Sequence, residues 1–169
     1  MCTGNICRSP TAERLALVYA TERRFTGFCA SSAGTRAVVS HGMHRDAAAV
    51  LLRLGGDASN FTARQLKSRH AREADLVLTM EKNHRDAVLE IAPAMLKRTF
   101  TLLEASRLIA LGDAKTVTDL ANLRASLRQD GDLDIFDPIG ESFATFDSVG
   151  RQIAGLLPPI IDFCEQSGG

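Results

Sequence analysis

Alternating helix-like and strand-like stretches predict one α/β domain, a parallel sheet with crossover helices between its strands. Three observations carry that expectation. Apolar residues recur at helical spacing over residues 10–23, 43–54, 116–128 and 142–157. Between the second and third of these, Asp75–Met80 is a short apolar run of the kind that strands buried on both faces show. The chain of 169 residues is one domain long, and at this size about 70% of the unfolded surface is buried on folding.

Taken in order, the first helix runs from Pro10 to Arg23 with Ala12, Leu15, Ala16 and Tyr19 on one face. Phe28–Ser32 reads as a short strand. Met43–Leu54 is a helix ended by Gly55-Gly56. Asp75–Met80 is the buried strand, and Glu81–Ile91 is a helix stopped ahead of Pro93. Arg98–Leu102 is a further strand. Thr116–Arg128 places Leu120, Leu123 and Leu127 on one helical face, and Ser142–Leu157 closes the chain with Phe143, Phe146, Val149 and Ile153.

Composition narrows the function classes. Twenty basic and twenty acidic side chains leave no net charge, which argues against nucleic acid or an anionic membrane as partner. No apolar run reaches transmembrane length, and the start lacks a charged-then-apolar signal, so the default expectation is cytoplasmic. The four cysteines, Cys2, Cys7, Cys29 and Cys164, are scattered unlike a disulfide framework and lack a second close pair for zinc. His41 and His44, three apart, read as solvated, and no metal or cofactor is expected.

The chemistry concentrates at the start, in Cys2-Thr3-Gly4-Asn5-Ile6-Cys7-Arg8-Ser9-Pro10. A tight loop of this kind turns its backbone N–H groups inward as an anion-binding nest, and the helix that follows adds its positive dipole end. Gly4 permits close backbone approach, and Asn5 tolerates the left-handed conformation. Arg8 brings a planar fork that matches two phosphate oxygens. The same field favours a thiolate, so Cys2 is the expected nucleophile, with Thr3 to Arg8 binding phosphate around it. Ser9 stands where its hydroxyl reaches the Cys2 sulfur, and Asn5 holds the loop shape.

This segment resembles the phosphate-binding loop of the low-molecular-weight protein tyrosine phosphatases and related arsenate reductases. Further matches follow in that family's order: Ser32-Ala33-Gly34-Thr35, Ala63-Arg64-Gln65, Ala74–Met80 and Asp137-Pro138. The resemblance implies a flavodoxin-like phosphatase fold, a four-stranded parallel sheet with helices on both faces, over residues 1–169. It also implies an apolar strand ahead of the cysteine, where only Met1 stands, so the first strand is expected to be truncated. An upstream start of the natural protein is the expected explanation. The stretch 105–132 exceeds what the family usually has there, and a tolerated surface insertion is preferred over a cover beside the site.

Hydrolysis of a phosphomonoester needs an in-line nucleophile, charge stabilisation and a proton for the leaving oxygen. Cys2 forms a cysteinyl-phosphate, Arg8 and the loop amides hold the phosphoryl oxygens, and Asp137 is the acid and then the base. Ile135, Phe136 and Ile139 are expected to desolvate the Asp137 carboxyl. The plain alternative makes Asp137 a turn residue before Pro138, and Asp132 and Asp134 are rivals for its role. The resemblance gives Cys7 a redox role, a reversible disulfide that shields Cys2.

Protein-tyrosine phosphatase activity is the leading expectation, on a phosphorylated protein or a small phosphomonoester. Ile6 fits that, since phosphoarginine-directed relatives carry threonine there. Val38, Ile139-Gly140 and Phe61 depart from the family's usual aromatic walls and loop-supporting histidine. Each lost stacking pair weakens a phenyl substrate by about 1 kcal/mol. The alternatives are a protein arginine phosphatase, a thiol-dependent arsenate reductase, and a module that binds phosphate without hydrolysing it. Oligomeric state has no signal in the sequence.

Overall fold

A computed structural model describes residues 1–127 and 132–167. Helix α1 (Arg8–Glu22) is followed by α2 (Arg45–Arg53), α3 (Ser68–Arg72), strand β1 (Val77–Thr79) and α4 (Lys82–Ile91). A 3₁₀ segment, Pro93–Arg98, leads to β2 (Thr99–Thr101), α5 (Leu102–Ala110), α6 (Val117–Leu123) and α7 (Phe143–Ser167).

The order is α/β, but the sheet is smaller than the four strands expected. β1 and β2 pair in parallel, Val77 opposite Thr99 and Thr79 opposite Thr101, and they are the two strands among the described residues. Beyond β1 the pattern continues only as single parallel bridges, Cys2 to Gly34 and Gly34 to Gln65. Met1 lies against β1, its amine donating to Leu78 O at 2.6 Å and its carbonyl accepting from Met80 N at 2.9 Å. The two residues Met1 and Cys2 make too short a ladder for a strand. Phe28–Ser32, expected as a strand, has no sheet partner among the described residues and runs as irregular chain, with Cys29 and Ser31 exposed.

Helices cover both faces. The larger core packs Leu15, Phe100, Leu102, Leu108, Leu120, Ile153 and Ile160. The smaller one, on the α3 and α4 side, holds Val77, Val88 and Met95. Alternation along β1 explains the split: Val77 faces the smaller core while Leu78 packs against the larger. α1, α2 and α5 all pack on α7. α2 approaches α7 closely at Gly150, where a Cβ would sit 2.4 Å from Val50 Cγ1.

α7 runs ten residues past the expected end at Leu157, through Pro158 and Pro159. An interior proline costs about 3 kcal/mol. Burial of Ile160, Ile161 and Phe163 offsets it, each contributing about 1.5–3 kcal/mol. The described residues of the stretch 105–132 contribute to the core. Ala105, Leu108 and Leu120 are buried in the larger core, and Arg124 stacks on Phe100 and donates to Thr99 O, Leu96 O and Glu104. Helix α6 ends at Leu123 in a 3₁₀ turn, while Arg128, its expected end, lies outside the described residues. Among the described residues no helix is long and apolar enough to cross a membrane.

Candidate active site

The loop between Met1 and α1 is shaped by its carbonyls. Cys2 O accepts from Thr35 N at 2.9 Å, Thr3 O from Arg36 N at 3.0 Å, Gly4 O from Val38 N at 2.9 Å and Ile6 O from His44 N at 2.7 Å. With these carbonyls turned outward, the N–H groups of the same peptide units, on residues 3, 4, 5 and 7, turn inward. None of them donates to another backbone group among the described residues. That is a nest, and α1 starts from it at Arg8. Gly34 allows the close pairing, since a Cβ there would meet Thr3 O at 2.4 Å.

Asn5 pins the loop from behind. It is fully buried with φ +55°, a left-handed conformation that asparagine bears better than most residues. Its Nδ2 donates to Ser9 Oγ at 3.0 Å and to Ser32 Oγ at 2.8 Å, and its Oδ1 accepts from Arg64 N at 2.9 Å. Ser32 Oγ in turn donates to Glu13 Oε2 at 2.6 Å. With Ser9 Oγ accepting from Asn5, the Ser9 hydrogen is left for Cys2 Sγ, 2.9 Å away. Cys2 itself is 3% exposed.

Arg8 connects the loop to the far end of the chain. Its guanidinium is 2% exposed. One terminal nitrogen donates to Glu81 Oε1 at 2.5 Å and to Ile135 O at 2.6 Å; the other donates to Asp137 Oδ2 at 2.6 Å. The fork that the sequence aims at phosphate therefore grips two carboxylates and a carbonyl. The rivals of Asp137 sit elsewhere. Asp134 accepts from Lys82 N at 2.7 Å at the start of α4, and Asp132 accepts from Asp134 N at 3.0 Å.

The apolar enclosure expected around Asp137 is not built. Its carboxyl is 42% exposed, and Phe136 and Ile139 stand 59% and 47% exposed. Ile135 alone is buried, and it faces the core. Val38 and Ile6 lie over Gly4 at the loop mouth, an aliphatic rim.

Sequence reasoning missed Glu81, His84 and Glu13. Glu81 follows directly on the run Ala74–Met80, and Ser32 and Arg64 fall within the other two internal matches, so their clue was present. His84 carried none. Its Nε2 lies 2.8 Å from Thr3 Oγ1 and 3.8 Å from Glu81, and its Nδ1 is buried without a partner among the described residues. Burial pushes His84 down to about 4, with Glu81 opposing and Arg8 reinforcing. Burial also pushes Cys7 up to about 12, helped by the neighbouring Cys2, and Cys7 packs with Ala47, Val50 and Phe146.

The chain is similar to known phosphatases. Wzb of Salmonella typhi, a low molecular weight protein-tyrosine-phosphatase, is 44% identical over 95 residues, 56% of this chain and 60% of that protein. Wzb of Escherichia coli K12 is 42% identical over 95 residues, 56% and 61% of the two chains. The chain thus spans about 60% of the length of the curated relatives it matches. Among solved structures, the Erwinia amylovora tyrosine phosphatase AmsI is similar with a TM-score of 0.72 and 27% identity, over 95% of this chain and 87% of that one. YwlE arginine phosphatase from Geobacillus stearothermophilus gives 0.73 and 27%, over the same shares. The family model for low molecular weight phosphotyrosine protein phosphatase matches residues 1–161, and the chain belongs to that family.

Proposed function

We propose that this chain hydrolyses phosphomonoesters, phosphotyrosine in proteins first among them, through a cysteinyl-phosphate. The observation that carries the reading is the inward nest around a sulfur that already has a hydroxyl partner, with Arg8 and Asp137 paired at its rim.

In the first step Cys2 Sγ attacks phosphorus. The S–P bond forms as the P–O bond to the leaving group breaks, and Asp137 gives its proton to that oxygen. Water then attacks phosphorus, Asp137 takes its proton, and the S–P bond breaks to release orthophosphate and the thiolate. Loop amides and Arg8 hold the three other oxygens as charge spreads. A phosphoryl group entering the nest takes over the Arg8 nitrogen that Asp137 holds. The exchange frees the carboxyl to carry the proton.

Thr3, Gly4 and Ile6 border the mouth, and Cys7 is proposed to form a reversible disulfide with Cys2 once a peroxide has oxidised Cys2 to its sulfenic acid, the Cys7 thiolate displacing the sulfenic hydroxyl as water. Its buried thiol must first lose a proton it holds tightly, which makes that protection slow. The site uses no metal or cofactor in this scheme, and the proposed location is cytoplasmic. A second reading, phosphoarginine, draws on exposed Val38 and Ile139, which stand where aromatic walls are usual, and on the likeness to YwlE.

The test is turnover of para-nitrophenyl phosphate by the wild type and by Cys2→Ser, with phosphotyrosine and phosphoarginine peptides alongside. An active wild type and an inactive variant support the enzyme. Equal phosphate binding without turnover in both makes the chain a binding module.

A further inference from the structure

Behind the phosphate loop, away from the thiol, lies a second cleft of about 260 Å³, lined by Glu13, Arg14, Ser32, Phe61, Thr62 and Arg64. Two guanidiniums line it. Arg64 is anchored by its Nε, which donates to Ser32 O at 2.7 Å; its terminal nitrogens have no hydrogen-bond partner among the described residues. Arg14 lies over the Phe61 ring, 5.7 Å from the centroid, and its buried Nε lacks a hydrogen bond. The carboxylate present, Glu13, is engaged: one oxygen accepts from Ser32 at 2.6 Å, and the other is 3.6 Å from Arg14 Nε.

Exposed Arg64, anchored through its Nε, and half-buried Arg14 face one occupied carboxylate and leave unused donors around a space that water alone does not require. A single water needs about 10–15 Å³ of such space, so this cleft admits a tetrahedral anion with a substituent. Guanidinium forks match phosphate oxygens two at a time. Nearby, burial first and then Arg64, Arg69 and Lys67, opposed by Glu73, push His70 below its ordinary value. Phe61, which stands where the family commonly has a histidine, forms the apolar floor that holds Arg14 level.

We infer that this cleft is a second phosphate site, taking orthophosphate or a small phosphomonoester between Arg14 and Arg64. Because Ser32 also holds Asn5, occupation is felt at the catalytic loop through one shared hydroxyl. The inference stands apart from the proposed hydrolysis, which para-nitrophenyl phosphate turnover tests separately.

The experiment uses Arg8→Ala, which weakens the catalytic nest, and follows backbone amides by heteronuclear NMR during titration with inorganic phosphate. Saturable shifts at Arg14, Ser32 and Arg64, with a Kd of about 1 mM, are expected. Arg14→Gln in that background weakens binding by about tenfold, as does Thr62→Glu, an exposed change that adds a charge without disturbing the core. Phosphoethanolamine binding tighter than phosphate identifies an ester as occupant; the reverse order identifies the free ion. Shifts that fail to saturate, that stay within residues 2–9, or that persist unchanged in both variants overturn the inference.

Discussion

The loop Cys2–Arg8 and the segment Asp134–Gly140 meet at one guanidinium, yet they are held in opposite ways. The loop is fixed from outside by four backbone hydrogen bonds and from within by buried Asn5. The acid-bearing segment is anchored only at its start, by buried Ile135 with its N–H on Met80 O and by Asp134 on Lys82 N; beyond that it rests on Arg8, with Phe136, Ile139 and part of the Asp137 side chain in solvent. Preorganised donors suit the part that must stabilise charge without rearranging. A carboxylate tethered by an exchangeable ion pair suits the part that must hand over a proton. Rigidity and release are divided between the two.

Arg8→Lys breaks both regions at once. A point charge cannot hold Glu81, Ile135 O and Asp137 together, and kcat should fall by about 10³-fold. Asp137→Asn removes the proposed proton carrier and its charge pairing with Arg8, and leaves the loop in place. There kcat should fall by about 10²-fold on alkyl phosphates and less on aryl phosphates, whose leaving oxygens need less help. Steady-state kinetics across leaving groups checks both.

Asn5→Ala attacks the loop alone. It deletes three hydrogen bonds and places a Cβ-bearing residue without polar help at φ +55°, costing about 2 kcal/mol by urea denaturation. Asn5→Gly relieves the backbone but restores none of the bonds, so recovery should be partial. Full recovery would assign the whole effect to backbone strain.

The smallest effect is in pH. Folded His84 stays neutral until about pH 4, whereas the unfolded side chain takes a proton near 6.5. The unfolded chain binds more protons in that window, so stability falls as pH drops from 6.5 toward 4. His84→Asn should flatten that slope in denaturant midpoints measured across the range.

What was legible from the residues follows from how local each feature is. The loop, α1 and the strand at Asp75–Met80 rest on contiguous patterns, and their placement differs from expectation by a few residues. The sheet was overestimated because strands need partners, and Phe28–Ser32 offers an apolar pattern without a neighbour to pair with. The buried role of α5 and α6 was hidden because the length of a stretch says nothing about which core receives Leu108 and Leu120. Glu81 and His84 act through Arg8 and Thr3, contacts more than seventy residues apart that no spacing encodes. The expected enclosure of Asp137 failed for the opposite reason: apolar neighbours in sequence turned outward.

The most direct test traps the covalent intermediate. Asp137→Asn turned over with a phosphorus-labelled aryl phosphate and quenched in alkali should carry label at close to one phosphoryl group per chain, on the peptide containing Cys2. Cys2→Ala, which leaves no nucleophile at that position, should carry none. Label on another residue, or turnover that survives in Cys2→Ser, would contradict a sulfur nucleophile in the nest.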